Sequence, residues 1–128
     1  MKPEILDTNV LLRFLVGDVP AQQQQAISWF KEAEEGKREV ALLPLVVAEA
    51  CFVLETRYQK THNEIADALE VFLGQRWLRI EEREVLTNVW QWYRKGLHFV
   101  DSYLLSWAHA RAGSVLTFDK EMGKKSVV

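Results

Sequence analysis

Residues 3–18, with the sequence PEILDTNVLLRFLVGD, place an aspartate between two apolar segments. The pair Ile5–Leu6 precedes Asp7, and the run Val10–Leu12 follows it. A carboxylate buried among apolar residues is costly unless a partner lies beside it. The pattern therefore predicts a strand that ends at Asp7, a helix that begins directly after it, and a partner for the carboxylate.

The rest of the chain repeats this order of strand and helix. Four short apolar runs have the length of strands, and each is followed by residues with helical spacing. The predicted strands are Glu4–Leu6, Val40–Leu43, Trp77–Ile80 and Ser114–Thr117. The predicted helices are Thr8–Leu15, residues 20–36, Pro44–Tyr58, a helix opened by the capping pair Thr61 and Glu64, Glu82–Tyr93 and Asp101–Ala112. Strands alternating with helices predict an α/β fold around a mostly parallel sheet.

Length and composition set bounds on the class of protein. The 128 residues suit a single domain, residues 1–128, and the 48% hydrophobic and 27% charged content is that of a globular chain. A net charge of −2 provides no overall basic field, so nucleic acid would be bound through a local patch or through cations. The single cysteine excludes an internal disulfide, and neither a signal peptide nor a membrane span is predicted. We expect a cytoplasmic protein.

Four carboxylates stand out from the rest. Asp7 and Asp119 follow predicted strands, Asp101 lies at the start of a predicted helix, and Glu49 shares a helix face with Leu45 and other apolar residues. In parallel sheets, sites form beyond the carboxyl ends of the strands, where these acids could converge. The alternative for each aspartate is an ordinary helix cap or turn.

A shared pocket would force the four carboxylates to repel one another unless a cation compensates. Oxygen ligands favour Mg²⁺ or Mn²⁺ over zinc, and the three histidines and one cysteine show no ligand spacing. The partner predicted for Asp7 is therefore a divalent metal ion. Such a cluster is suited to the attack of water on a phosphodiester.

Four segments carry a resemblance to a known family: ILDTNVLLRFL (5–15), VVAEACFVL (46–54), FVDSYLLSWAHARAG (99–113) and VLTFDKEM (115–122). In order and spacing they resemble the motifs of PIN-domain nucleases, and within them the VapC-like toxins of toxin–antitoxin systems. The resemblance implies a three-layer α/β/α fold with a short central parallel sheet. It also implies an Mg²⁺- or Mn²⁺-dependent endoribonuclease that forms a homodimer, is neutralised by a cognate antitoxin and has no membrane segment.

The same resemblance implies roles for individual residues. The acidic residues that match the family's catalytic and metal-binding quartet are Asp7, Glu49, Asp101 and Asp119. The neighbours that match its supporting hydrogen-bonding residues are Thr8, Asn9 and Thr117. One position departs from the family pattern, because many relatives have an aspartate where this chain has His98.

RNA contacts are predicted near the acids. Arg13 follows the first acid, and Lys120 follows the last. The stretch WQWYRKG (90–96) interleaves aromatic and basic residues, but its spacing fits a core helix better than an RNA surface. Trp29, Trp77 and Trp107 are candidates for a dimer or antitoxin surface.

Three other functions compete with the toxin interpretation. A phosphatase of the haloacid dehalogenase type needs an aspartate where this chain has Asn9, which argues against that class. An RNA maturation or decay nuclease without an antitoxin stays open. So does a catalytically silent module that binds RNA or protein.

Overall fold

The computed structural model describes residues 1–126, in which three short strands form one parallel sheet. The strands are β1 (Pro3–Ile5), β2 (Glu39–Leu42) and β3 (Leu78–Ile80), in the order β1-β2-β3. Ile5 pairs with Ala41, and Leu42 pairs with Ile80. The strands run in the same direction, so their carboxyl ends lie at one edge of the sheet. The predicted α/β class with a short parallel sheet is confirmed.

Helices connect and flank the strands. Their bounds are α1 (Thr8–Val16), α2 (Pro20–Glu34), α3 (Pro44–Thr56), α4 (His62–Leu73), α5 (Arg83–Asn88), α6 (Trp90–Tyr93), α7 (Phe99–Ala110) and α8 (Lys120–Ser126). Pro20 and Pro44 begin their helices as predicted, since a proline in the first turn leaves no hydrogen bond unmade. Both halves of the predicted capping box are present at α4, where Thr61 and Glu64 exchange hydrogen bonds of 2.9 and 3.1 Å.

The core lies between the sheet and the helices and is largely one cluster. Leu11 of α1, Leu42 of β2 and Val47 of α3 are fully buried in it. Trp90 and Tyr93 belong to the same cluster, so the stretch WQWYRKG is a core element, as its spacing predicted. None of the helices among residues 1–126 is long and apolar enough to cross a membrane.

Two predicted elements differ from the structure. Ser114–Thr117 is an irregular segment rather than a strand, and Leu116 and Phe118 are fully exposed. Within residues 1–126 no neighbouring strand pairs with it, and β propensity alone does not hold an unpaired strand. The predicted helix Glu82–Tyr93 divides at Val89, whose carbonyl accepts from both Trp92 and Tyr93, so the turn tightens there.

Candidate active site

Asp7 lies where the sequence placed it, between the end of β1 and the start of α1. It occupies the N-cap position of α1, but its side chain makes no capping hydrogen bond. The expectation of a buried carboxylate is wrong, because Asp7 is exposed. The next residue, Thr8, is buried, so the turn of chain is anchored while the carboxylate faces solvent. An exposed acid without a cap bond keeps its oxygens free for a ligand.

Glu49 faces Asp7 across an open cleft between α1 and α3. The cleft has a volume of about 430 Å³, and its lining includes Asp7 and Asn9 from the α1 side and Glu49, Phe52 and Thr56 from α3. Residues 49, 52 and 56 are three and four apart, so they lie on one side of the helix. Within residues 1–126 neither carboxylate has a hydrogen-bond or ion-pair partner. The structure thus brings two of the four predicted acids to one cleft.

Asp101 lies in the first turn of α7 and is half-buried. It is not the helix cap, because His98 occupies that position and its carbonyl accepts from the amide and hydroxyl of Ser102, both at 2.9 Å. A carboxylate in the first helical turn is stabilised by the helix dipole. Asp101 does not line the cleft that holds Asp7 and Glu49.

Asp119 is engaged as a helix cap. Its Oδ1 accepts from the backbone amides of Glu121 at 3.0 Å and Met122 at 3.2 Å, at the start of α8. Thr117 accepts from the Asp119 amide at 3.0 Å, so this predicted supporting residue does contact the acid's backbone. Lys120 is the first residue of α8 and is exposed. The capping alternative considered for Asp119 therefore describes its present contacts.

The four acids are not gathered into one cluster. Among residues 1–126 no three acidic, histidine or cysteine side chains are placed to hold a metal ion together. Asp7 and Glu49 offer exposed carboxylate oxygens at the same cleft, which is the donor chemistry that Mg²⁺ and Mn²⁺ take. Carboxylate oxygens fit a hard divalent cation. Asp7 and Glu49 are the two predicted ligands that this structure brings to the same cleft.

Arg13 lies in the same cleft but is held by neighbours. Its Nε donates to Gln22 at 2.9 Å, and its Nη1 donates to Tyr58 at 3.1 Å and to Asp18 at 3.3 Å. Tyr58 in turn donates to Asp18 at 2.8 Å. This hydrogen bond, followed by the charge of Arg13, holds the pKa of Asp18 below its ordinary value. The network joins α1, the turn after it, α2 and the residues that follow α3.

The sequence did not predict a site role for several residues that line the cleft, among them Phe52, Arg57 and Tyr58. Phe52 belongs to the apolar segment around Glu49, but it is 63% exposed. Its position three residues after Glu49 was a usable signal, since the two share a helix face. The predicted helix extended to Tyr58, but α3 ends at Thr56, so helical spacing does not determine the sides that Arg57 and Tyr58 face.

A second polar cluster lies behind the cleft and does not supply a nucleophile. Tyr93 donates to Glu55 at 2.5 Å, and His62 Nδ1 lies 2.7 Å from the Tyr93 carbonyl. Burial raises the pKa of the Cys51 thiol and of Tyr93 well above their ordinary values. Cys51 therefore stays protonated near neutral pH, where a thiol is a poor nucleophile.

A second, mostly apolar cavity lies away from the four candidate acids. It has a volume of about 630 Å³ and is lined by side chains that include Phe14, Phe30, Phe72 and Trp77. Their rings pack at centroid distances of 5.0 Å for Phe14–Phe30 and 5.2 Å for Phe30–Trp77. Its chemistry suits an apolar partner rather than a phosphate.

These features define an α/β domain with exposed carboxylates at the carboxyl end of a short parallel sheet. The PIN domain family matches residues 5–127, and the chain belongs to this family. PIN domains are generally nucleases, which is the chemistry that acids at this position serve. No curated protein and no solved structure matches the chain.

Proposed function

We propose that the protein is an Mg²⁺- or Mn²⁺-dependent endoribonuclease whose active site is the cleft between α1 and α3. The observation that carries this proposal is the pair of exposed, unpartnered carboxylates, Asp7 and Glu49, in one cleft of a PIN domain. Hydrolysis adds water across one P–O ester bond of the RNA backbone, so that one product gains a phosphate end and the other a hydroxyl. A divalent cation in the cleft would make water more acidic and neutralise phosphate charge.

Each of the predicted site residues would have a separate role in metal binding. Asp7 and Glu49 would hold the cation in the cleft, and Asp101 and Asp119 would be its further ligands. Asn9 offers an exposed amide in the same cleft, and Thr8 and Thr117 fix the backbone beside the acids. Asp119 has to exchange its capping bonds in α8 for this role. The free edge of β1 and the exposed Leu116 and Phe118 support such a shift, because docking of 114–118 there would cover apolar surface near Asp7.

RNA cleavage by the purified chain, freed of partners, tests this function. Total RNA and a single-stranded DNA control are incubated with Mg²⁺ or Mn²⁺ and then with EDTA. Asp7→Asn should lower the cleavage rate at least about a hundredfold, since it removes a charged ligand. Asp67→Asn is the matched control, because Asp67 is exposed on α4 and pairs with Arg94 at 2.7 Å. Cleavage that persists in EDTA, or that Asp7→Asn leaves unchanged, contradicts the proposal.

We further propose that the nuclease acts as the toxin of a toxin–antitoxin pair and works as a cytoplasmic homodimer. The support is the resemblance of the four motifs to VapC-like toxins, together with exposed apolar residues on α7. Val100, Leu104 and Trp107 are 57%, 41% and 43% exposed and recur at helical spacing. Induced expression should arrest growth, and co-expression of a small protein encoded beside it should relieve the arrest. A nuclease of RNA maturation or decay would show neither effect.

A further inference from the structure

Two arginines line the cleft, and their surroundings differ. Three side chains hold the guanidinium of Arg13, and its side chain is only 25% exposed. The guanidinium of Arg57 has no hydrogen-bond or ion-pair partner within residues 1–126, and the residue is exposed. Arg13 thus serves as part of the scaffold, whereas Arg57 has its donors available.

The negative charge of the cleft gives the available guanidinium of Arg57 a role in binding phosphate. Asp7 and Glu49 give the cleft a negative pair that repels a phosphate backbone, and the whole chain has a net charge of −2. A guanidinium binds phosphate with two parallel hydrogen bonds. Arg57 follows the end of α3 and lines the same cleft as the two acids.

Phe52 is the second unusual group of the cleft. It is 63% exposed and lies one helical turn after Glu49. No aromatic ring packs against Phe52 within residues 1–126. Aromatic faces beside cations are the elements with which proteins bind unpaired nucleotides, because bases stack on the ring while the cation holds the phosphate.

We propose that Phe52 and Arg57 form a nucleotide subsite of the cleft: Arg57 binds a phosphate of the RNA strand, and the ring of Phe52 stacks on an adjacent base. The subsite rests on the proposed function, since it holds one nucleotide beside the phosphate that Asp7 and Glu49 would address. Arg13 keeps Tyr58 and the end of α3 in place, so it supports the subsite from behind.

RNA binding measured without cleavage tests the subsite. All variants carry Asp7→Asn, and the probe is a fluorescein-labelled twelve-nucleotide oligoadenylate followed by anisotropy at several salt concentrations. Arg57→Gln should raise Kd about tenfold and reduce the salt slope by about 0.7, the share of one phosphate on a single strand. Arg57→Lys should restore part of the affinity. The matched control Arg76→Gln removes an exposed arginine outside the cleft and should leave Kd unchanged.

Phe52 has a different expected signature. Phe52→Ala should raise Kd about tenfold with the salt slope unchanged, and Phe52→Tyr should keep most of the affinity. The matched control is Leu45→Ala, because Leu45 is 77% exposed on the same helix but does not line the cleft. If Phe52→Ala instead changes the mass of the particle in light scattering, its ring belongs to a protein interface and the stacking role is wrong.

Failure of the subsite is distinguishable from failure of the nuclease function. If the wild-type chain cleaves RNA while Arg57→Gln and Phe52→Ala bind the probe as the parent does, the subsite is wrong and the nuclease stands. If the wild-type chain does not cleave RNA, but Arg57→Gln and Phe52→Ala lose affinity with the expected salt slopes, the subsite is correct and the protein binds RNA without cleaving it. Absence of probe binding by the Asp7→Asn parent overturns the subsite.

Discussion

The aspartates near the two ends of this chain differ in the contacts that their carboxylates make. Asp7 has the position of a helix cap without the hydrogen bond, whereas Asp119 makes two capping hydrogen bonds. A cap of this kind is worth about 1 kcal/mol, so the exchange of Asp119 from cap to ligand has a modest cost. Asp18 does not line the cleft, and its carboxylate is bound by two residues that do, Tyr58 and Arg13. Sequence position does not distinguish Asp7 from Asp119, since each follows a predicted strand, but their hydrogen bonds do.

The network around Asp18 yields a pH-dependent prediction. The hydrogen bond from Tyr58 is the main cause that lowers the pKa of Asp18, so Asp18 stabilises the folded state above its unfolded pKa of about 3.9. This contribution is lost as pH falls through the lower folded value. Tyr58→Phe should move the pKa of Asp18 upward, and it should destabilise the protein more at pH 6 than at pH 3.

Carboxyl carbon NMR of Asp18 and denaturant unfolding at both pH values measure the two effects. Tyr103→Phe is the control, because Tyr103 donates to Glu82 and not to Asp18. A stability difference between wild type and Tyr58→Phe that does not shrink on acidification would show that the hydroxyl acts by packing alone.

The turn between α1 and α2 depends on a glycine whose neighbours leave no room for a side chain. Gly17 ends α1 with φ of 72°, and a Cβ there would lie 2.7 Å from Nε2 of Gln23. That Nε2 donates to the Phe14 carbonyl at 3.1 Å. Gly36 ends the turn after α2 with φ of 79° but has open space around it. The two glycines share a backbone conformation and differ in their neighbours.

Alanine substitutions at Gly17 and Gly36 should separate the cost of a left-handed backbone conformation from the cost of displacing Gln23. Gly36→Ala should lower the free energy of unfolding by about 1–2 kcal/mol, the cost of a left-handed residue with a Cβ. Gly17→Ala should cost about 1 kcal/mol more, since Gln23 has to move and its hydrogen bond is lost. Urea unfolding measures both, and Gln23→Ala in each background is the control. Equal losses at the two sites would mean that Gln23 adapts without cost.

Helix starts that are marked by their own residues could be predicted from the sequence. A strand that needs a neighbouring strand could not. Pro20, Pro44 and the pair Thr61 and Glu64 mark helix starts by their own chemistry, so these starts were correct. Ser114–Thr117 has the composition of a strand, but a strand also needs a neighbour. The convergence of Asp7 and Glu49 followed from sheet geometry, whereas Arg57 was missed because its place depends on how α3 ends.

The whole molecule leaves two apolar features exposed, one at the sheet edge and one before α8. β1 is the edge of the sheet, with Ile5 58% exposed, and the segment 114–118 presents Leu116 and Phe118 to solvent. An unpaired edge strand and an unpaired apolar segment both leave backbone groups and apolar surface in water. Asp119 caps α8 in this structure, and the proposed pairing of 114–118 with β1 would require it to leave that position.

Metal binding should shift the balance between these two uses. If Asp119 joins Asp7 and Glu49 around a cation, the segment 114–118 is drawn to the free edge of β1, and its amides gain hydrogen-bond acceptors. We expect saturating Mn²⁺ to slow amide hydrogen exchange of residues 114–118 in the wild-type chain, because a paired amide exchanges only when the pairing opens. Asp7→Asn should abolish the effect, and Asp67→Asn should not. Helix α4, which lies outside the cleft, serves as the internal reference peptide.

Binding of Mn²⁺ seen by calorimetry, with exchange at 114–118 unchanged, would mean that Asp119 stays the cap of α8 and that the cation is held without it.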